Sequence, residues 1–185
     1  MRPPDDTDGS GFDDPTAVVG HAGVVYRIPP IPLDPDATTF VDAGVVTFGV
    51  EPRVVTDELI DHAYVDDPLA AAEIEAHRPA TIEDHGISIH VLDAAGVERV
   101  RFDCFADDPH YHYIVAEAGV QRYVHHDPVA GGDVLDWALD AIEQRLAPML
   151  AAAGATGLAE QVASTDLSVA HRRLRDAAYR LAGRP

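Results

Sequence analysis

The sequence predicts an α+β fold: a four-stranded antiparallel β-meander packed on one face by an amphipathic helix, with additional N-terminal helices and a C-terminal helix. Three observations carry this reading. Four runs near 86–92, 97–105, 109–116 and 120–126 alternate apolar with polar residues, bounded by Asp, Ala, Gly and Pro. Connections this short join only antiparallel neighbours. After them, Val134, Ala138, Ile142 and Leu146 recur at helical spacing, with Trp137 beside them.

In chain order, residues 1–16 read as a disordered acidic tail, without the basic and apolar regions of a signal peptide. Residues 17–182 read as a single domain: an N-terminal extension over 17–80, the meander over 86–126 and helices over 133–182. Within the extension, apolar runs at 24–28 and 45–50 are separated by Pro and Asp, which suits strands or an irregular wrap. Thr56 is placed to N-cap a short helix that turns Leu59, Ile60, Ala63 and Tyr64 inward. Asp67 caps a second helix with Pro68 at its first position, ending before Pro79. Asp133 starts the amphipathic helix, which Pro148 should kink or interrupt. Gly154 and Gly157 then break the chain, and a last helix runs from about 165 to 181.

The chain has 185 residues, which fits one domain with a substantial core, and 46% hydrophobic residues argue against wholesale disorder. No apolar run approaches the roughly 18 residues that span a bilayer, so no membrane partner and a cytoplasmic address are expected. The single cysteine, Cys104, excludes an internal disulfide and a multi-cysteine zinc site. A net charge of -19 argues against nucleic acid as a partner, because a phosphate backbone needs a positive field. Lysine and asparagine are absent, which reads as a coding bias and weakens any argument from acidity to a special partner. Arg172, Arg173, Arg175, Arg180 and Arg184 crowd the last segment, as an acid-binding surface or as a charged helix face docked on an acidic body.

Four-residue turns set a register for the meander that pairs Ile89 with Val100, Cys104 with Tyr111, Phe102 with Tyr113, and Val115 with Val120. One sheet face then collects Ile87, Ile89, Val91, Val100, Phe102, Cys104, Tyr111, Tyr113, Val115, Val120 and Val124, a core for the helix from 134 to cover. The other face carries His90, Arg99, Arg101, Asp103, His110, His112, Tyr123 and His125, with Asp103 across from His112 and His110 across from His125. Three readings compete for it. In one, His110, His112, His125 and Asp103 hold a divalent transition metal as cofactor. In another, Asp103 and His112 form a metal-free catalytic pair while Arg99 and Arg101 bind a phosphate or carboxylate. In the third, there is no cofactor and the face is simply wet and polar.

Arg101-Phe102-Asp103, a short acidic turn, His110-Tyr111-His112-Tyr113, a further strand and a helix of the Leu135-Asp136-Trp137 type follow in that order. Over about residues 86–147 this resembles the TumE-like toxin family of bacterial toxin–antitoxin systems. Cys104 stands where that family usually has an asparagine, and Asp107, Asp108 and Pro109 make the turn acidic. The resemblance implies a meander-plus-helix core and, if activity follows, roles for Asp103, His110 and His112. The functional expectation is a small accessory or binding protein without catalysis, with a protein partner or self-association. Its alternative is a His/Asp-centred enzyme, metal-dependent and hydrolase-like or toxin-like, acting on a phosphate-bearing substrate.

Overall fold

A computed structural model describes residues 23–77 and 81–185. The proposed acidic tail over 1–16 lies outside the described residues. Seven strands form one antiparallel sheet: β1 (Val24–Tyr26), β2 (Thr39–Asp42), β3 (Thr47–Thr56), β4 (Glu83–Leu92), β5 (Glu98–Phe105), β6 (His110–Val115) and β7 (Val120–His125). Their order is β1-β7-β6-β5-β4-β3-β2. The expected four-stranded meander is β4 to β7, and it sits inside a larger sheet. The runs at 24–28 and 45–50 are sheet members that chain order alone did not place.

Six helices complete the described residues: α1 (Asp57–Ala63), α2 (Pro68–His77), α3 (Pro128–Gly131), α4 (Val134–Ala152), α5 (Thr156–Ala163) and α6 (Ser168–Leu181). The predicted caps form. Thr56 Oγ1 accepts from the Leu59 N–H at 3.2 Å, and Asp67 Oδ1 accepts from Leu69 and Ala70 at 3.1 and 3.0 Å. Pro148 does not interrupt α4, which continues through it. The helix ends instead at Gly154, whose positive φ of 78° lets the Ala155 N–H reach back to the Leu150 carbonyl. The chain then resumes helix at once as α5, an element hidden by reading Gly157 as a breaker.

Helices α4 and α6 cover one sheet face, and α5 packs on α4. Ala138, Ile142, Leu146 and Leu150 of α4, with Leu174 and Ala178 of α6, meet Phe48, Ile89, Val100 and Phe102 in one buried core. The sequence-derived core face therefore holds, and Cys104 is buried on it. Burial pushes its thiol well above the usual range, consistent with a small hydrophobe. The last helix belongs to this core: its Arg175 pairs with Asp140 at 2.7 Å, and Arg184, just beyond it, pairs with Asp133 at 2.7 Å. Those two arginines dock the C-terminal segment on acidic positions around α4.

The register needs correction. Ile89 pairs with Phe102 rather than Val100, Phe102 with Tyr111, and Asp103 with His110. Both hairpins differ from the expected pairing by two residues, and a bulge at Val91/Leu92 absorbs part of the difference. A slip of two preserves the faces, so the division into apolar and polar sets survives. Val115 with Val120 and His110 with His125 pair as expected.

Phe102 stacks with Tyr111 and meets the edge of Trp137 at centroid distances of 6.1 and 5.9 Å. Replacing it by alanine should cost about 3–5 kcal/mol, because both rings lose their partner and the rigid sheet closes poorly over the cavity. Urea denaturation followed by Trp137 fluorescence measures this loss.

Candidate functional site

The polar sheet face is not open to water. Residues 27–38 leave β1 at one edge and re-enter as β2 at the other, crossing above β7, β6, β5, β4 and β3. Six inter-strand gaps of about 4.8 Å require roughly 29 Å, which twelve extended residues cover with some slack. The strap contains Pro29, Pro30, Pro32 and Pro35, which lack N–H groups, and its buried carbonyls must find donors on the sheet and at the end of α1. Arg101 Nη2 donates to the Ile31 carbonyl at 2.8 Å, Arg53 Nη2 to the Pro32 carbonyl at 2.5 Å, and the Tyr64 hydroxyl to the Pro29 carbonyl at 2.8 Å. Around it, Ile28, Ile60, Tyr64 and Ala70 form a second, smaller apolar cluster.

Beneath the strap lies a buried charge network. The Arg101 guanidinium forks onto Glu98 at 2.8 and 2.6 Å, and Arg53 pairs with Glu51 at 3.0 Å. His90, fully buried, places Nδ1 2.6 Å from Glu98 and Nε2 3.1 Å from Glu51. Both ring nitrogens face carboxylates, so both carry protons. Gly49 pairs with His90, and a Cβ there would come within 2.9 Å of Thr38 in the strap. Burial works against charge on His90, yet the Glu51 and Glu98 hydrogen bonds raise its pKa. Burial likewise works against charge on Glu98, but Arg101 and His90 hold it down to about 2.

Next to this network, Asp103 Oδ2 lies 3.0 Å from His112 Nε2 and 3.2 Å from His110 Nε2, while Ser88 Oγ donates to Oδ1. Asp103, His110 and His112 are 3%, 8% and 6% exposed. Their potential ligand atoms all lie within 4.8 Å of one another. Against its own burial, Asp103 is held well below the usual carboxylate range by hydrogen bonds from His110 and His112. Burial pushes His112 down to about 4 despite the pull of Asp103, so its ring is neutral near pH 7. His110 Nδ1 donates to the Asp108 carbonyl at 2.6 Å. That carbonyl is set by Asp84, whose carboxylate accepts the backbone N–H groups of Ala106, Asp107 and Asp108. The Tyr123 ring stacks on His110 at 4.0 Å, and its hydroxyl donates to Asp108.

Other candidates fall outside this group. His125 is exposed at the sheet end and bonds Asp108 at 2.9 Å. Arg99 pairs with Asp93 and Glu117 at 2.9 and 2.6 Å, and the charge of Arg101 is balanced by Glu98. Sequence reasoning missed Glu51, Arg53, Ser88, Glu98 and Gln121. A signal existed for two of them: Gly49, Glu51 and Arg53 alternate with Phe48 and Val50, which marks a sheet strand with the same two faces.

The strap, α1 and α2 leave a cleft of about 610 Å³ above the Asp103–His110–His112 floor. Its walls include Ile31, Val55, Ile60, Ile74 and Ile82, and its rim Glu83, Asp107 and Asp108. Two buried polar atoms of its lining, His112 Nδ1 and Gln121 Oε1, have no hydrogen-bond partner.

A family model described as "Domain of unknown function (DUF7700)" matches residues 40–178. The chain belongs to this family. The matched segment runs from β2 into α6 and contains the whole Asp103–His110–His112 group, whereas the strap precedes it. No curated protein and no solved structure matches the chain. Among the described residues, no helix is long and apolar enough to cross a membrane.

The charge network predicts a stability optimum in pH. The pKa of Glu98 is lowered from 4.5 to about 2, so its contribution is complete above 4.5 and lost as pH falls toward 2. The pKa of His90 is raised from 6.5, so its contribution is complete below 6.5 and lost as pH rises through the folded value. Urea midpoints should therefore fall on both sides. Glu98→Gln should lower stability at neutral pH by about 3–5 kcal/mol and flatten the acid limb.

Proposed function

We propose that this protein binds a compact organic ligand in the cleft between its polar sheet face and the strap–α1–α2 roof. The observation that carries the reading is the cleft itself: about 610 Å³, with apolar walls and a few polar groups converging at its floor. Ligand sites share this size and this division of labour between burial and orientation. The polar content also speaks to ligand chemistry. Asp107, Asp108 and Glu83 line the rim, while Arg53 and Arg101 are neutralised by Glu51 and Glu98. A neutral or cationic ligand with an apolar body and hydrogen-bond donors suits this lining better than a phosphate ester. A binding role is the function that follows.

A second reading, a His/Asp-centred enzyme, is favoured by one observation: neutral His112, in the cleft lining, bonds Asp103 through Nε2 and leaves its buried Nδ1 without a partner. A toxin-like activity of Asp103, His110 and His112 is the version that the TumE-like resemblance implies, and growth arrest on expression checks it.

The binding reading is tested by a thermal-shift screen of small amines, amides and aromatic heterocycles against the wild type and Val55→Trp. Val55 lines the cleft from β3, where a larger ring fills space without touching the floor. A ligand at a hundred times its Kd adds about 2.7 kcal/mol, or roughly 5–10 °C for a chain of this size. Hits should stabilise the wild type by this amount and leave Val55→Trp unmoved. Equal shifts in both proteins would place the ligand elsewhere.

A further inference from the structure

We infer that Asp103, His110 and His112 bind one divalent transition-metal ion at the cleft floor, with Gln121 positioning His112. The site adjoins the ligand cleft without depending on its occupant. Two imidazole nitrogens lie 3.0 and 3.2 Å from one carboxylate oxygen. Tetrahedral coordination with bonds of about 2.0–2.2 Å separates ligand atoms by roughly 3.3–3.5 Å, close to both nitrogen–oxygen distances, and all three ligand atoms lie within 4.8 Å of one another.

The hydrogen-bond directions point the same way. His110 Nδ1 faces a carbonyl, which only accepts, so it carries a proton. Its Nε2 nonetheless faces the Asp103 carboxylate. The nitrogen and the carboxylate oxygen are placed to share either the proton of a hydrogen bond or a metal ion in its place. A carbonyl on the distal nitrogen and a hydroxyl on the second carboxylate oxygen, from Asp108 and Ser88, are the supports that orient metal ligands. The ligands stand on neighbouring strands of a rigid sheet and face the cleft, which leaves the ion an open side. Two imidazoles and one carboxylate select zinc, iron(II), cobalt or nickel over calcium or magnesium, which require all-oxygen shells. The acidic lining, Asp84, Asp107 and Asp108, favours a cation.

The unpartnered atoms complete the case. With Nε2 of His112 on the ion, its Nδ1 carries a proton and needs an acceptor. Gln121 Oε1 is a buried acceptor without a partner in the same cleft lining. His112 pairs with Tyr123 and Ile114 with Gln121, so Gln121 is the diagonal neighbour of His112 on one face. Diagonal neighbours, about 7–8 Å apart at Cα, lie within reach of a glutamine side chain.

The test is metal content of the untagged, ligand-free full chain by mass spectrometry, followed by cobalt(II) titration of chelator-stripped protein read by its visible spectrum. About one equivalent per chain is expected, with a tetrahedral cobalt spectrum and a thermal midpoint that rises up to one equivalent of zinc. His110→Ala and His112→Ala should each lose at least tenfold in affinity, and His125→Ala should bind as wild type. Gln121→Leu should weaken binding about tenfold at unchanged stoichiometry, with Gln121→Glu restoring it. No uptake by the wild type, or uptake that survives both histidine variants, overturns the proposal. If those variants fail to fold, the wild-type cobalt spectrum and zinc-dependent midpoint decide alone, and their absence rejects it. Metal uptake with no thermal-shift hit would leave this site standing while the ligand reading falls.

Discussion

The proline strap laid across a sheet face, and tied down by buried arginines, is the constraint on which the rest of the structure depends. Because β1 sits at one edge of the sheet and β2 at the other, the connecting chain must cross a face. Its prolines remove N–H donors and leave carbonyls that a dry interior cannot leave unpaired. Arg53, Arg101 and Tyr64 supply those donors. Two buried guanidinium groups then demand two carboxylates, Glu51 and Glu98, and His90 bridges the pair. Each group is costly to bury alone, so the network is stable only when complete.

That arrangement gives the two faces of one sheet different physical logics. On the helical side, Phe48, Ile89 and Phe102 meet α4 and α6 through shape and apolar area, which tolerate a change of partner of similar volume. On the strap side, position is set by hydrogen bonds with narrow geometric limits. The register illustrates the difference. A two-residue slip between β5 and β6 would keep every apolar residue inward, yet it would take Asp103 away from its present place opposite His110. The polar face discriminates between registers that the apolar face accepts. It also keeps Asp103, His110 and His112 largely buried, where their mutual interactions are strengthened.

Much of this was legible in residue patterns. The alternation from 86 to 126 separated the faces correctly, and Val134, Ala138, Ile142 and Leu146 identified the covering helix. Thr56 and Asp67 marked their helix starts because capping chemistry is local. Asp103, His110 and His112 were assigned to one face by parity alone. The misses have physical causes. Gly157 lies in the first turn of α5, where helix formation leans on packing of Ala159 and Val162 more than on propensity. Pro148 stays inside α4 because the helix is held on both sides of it by buried Leu146, Met149 and Leu150.

The sequence by itself determined the fold class, the meander and its helix, and which side chains share the polar face, because helical and strand periodicities act over a few residues. Only the tertiary structure decided that three earlier strands extend the sheet and that the polar face is roofed rather than wet. It alone also brought Glu51 and the strap onto His90 and Arg101. Those contacts join residues up to seventy positions apart, such as Arg101 and Ile31. No local period encodes such separations. They follow from how the crossing segment satisfies its carbonyls once water is gone.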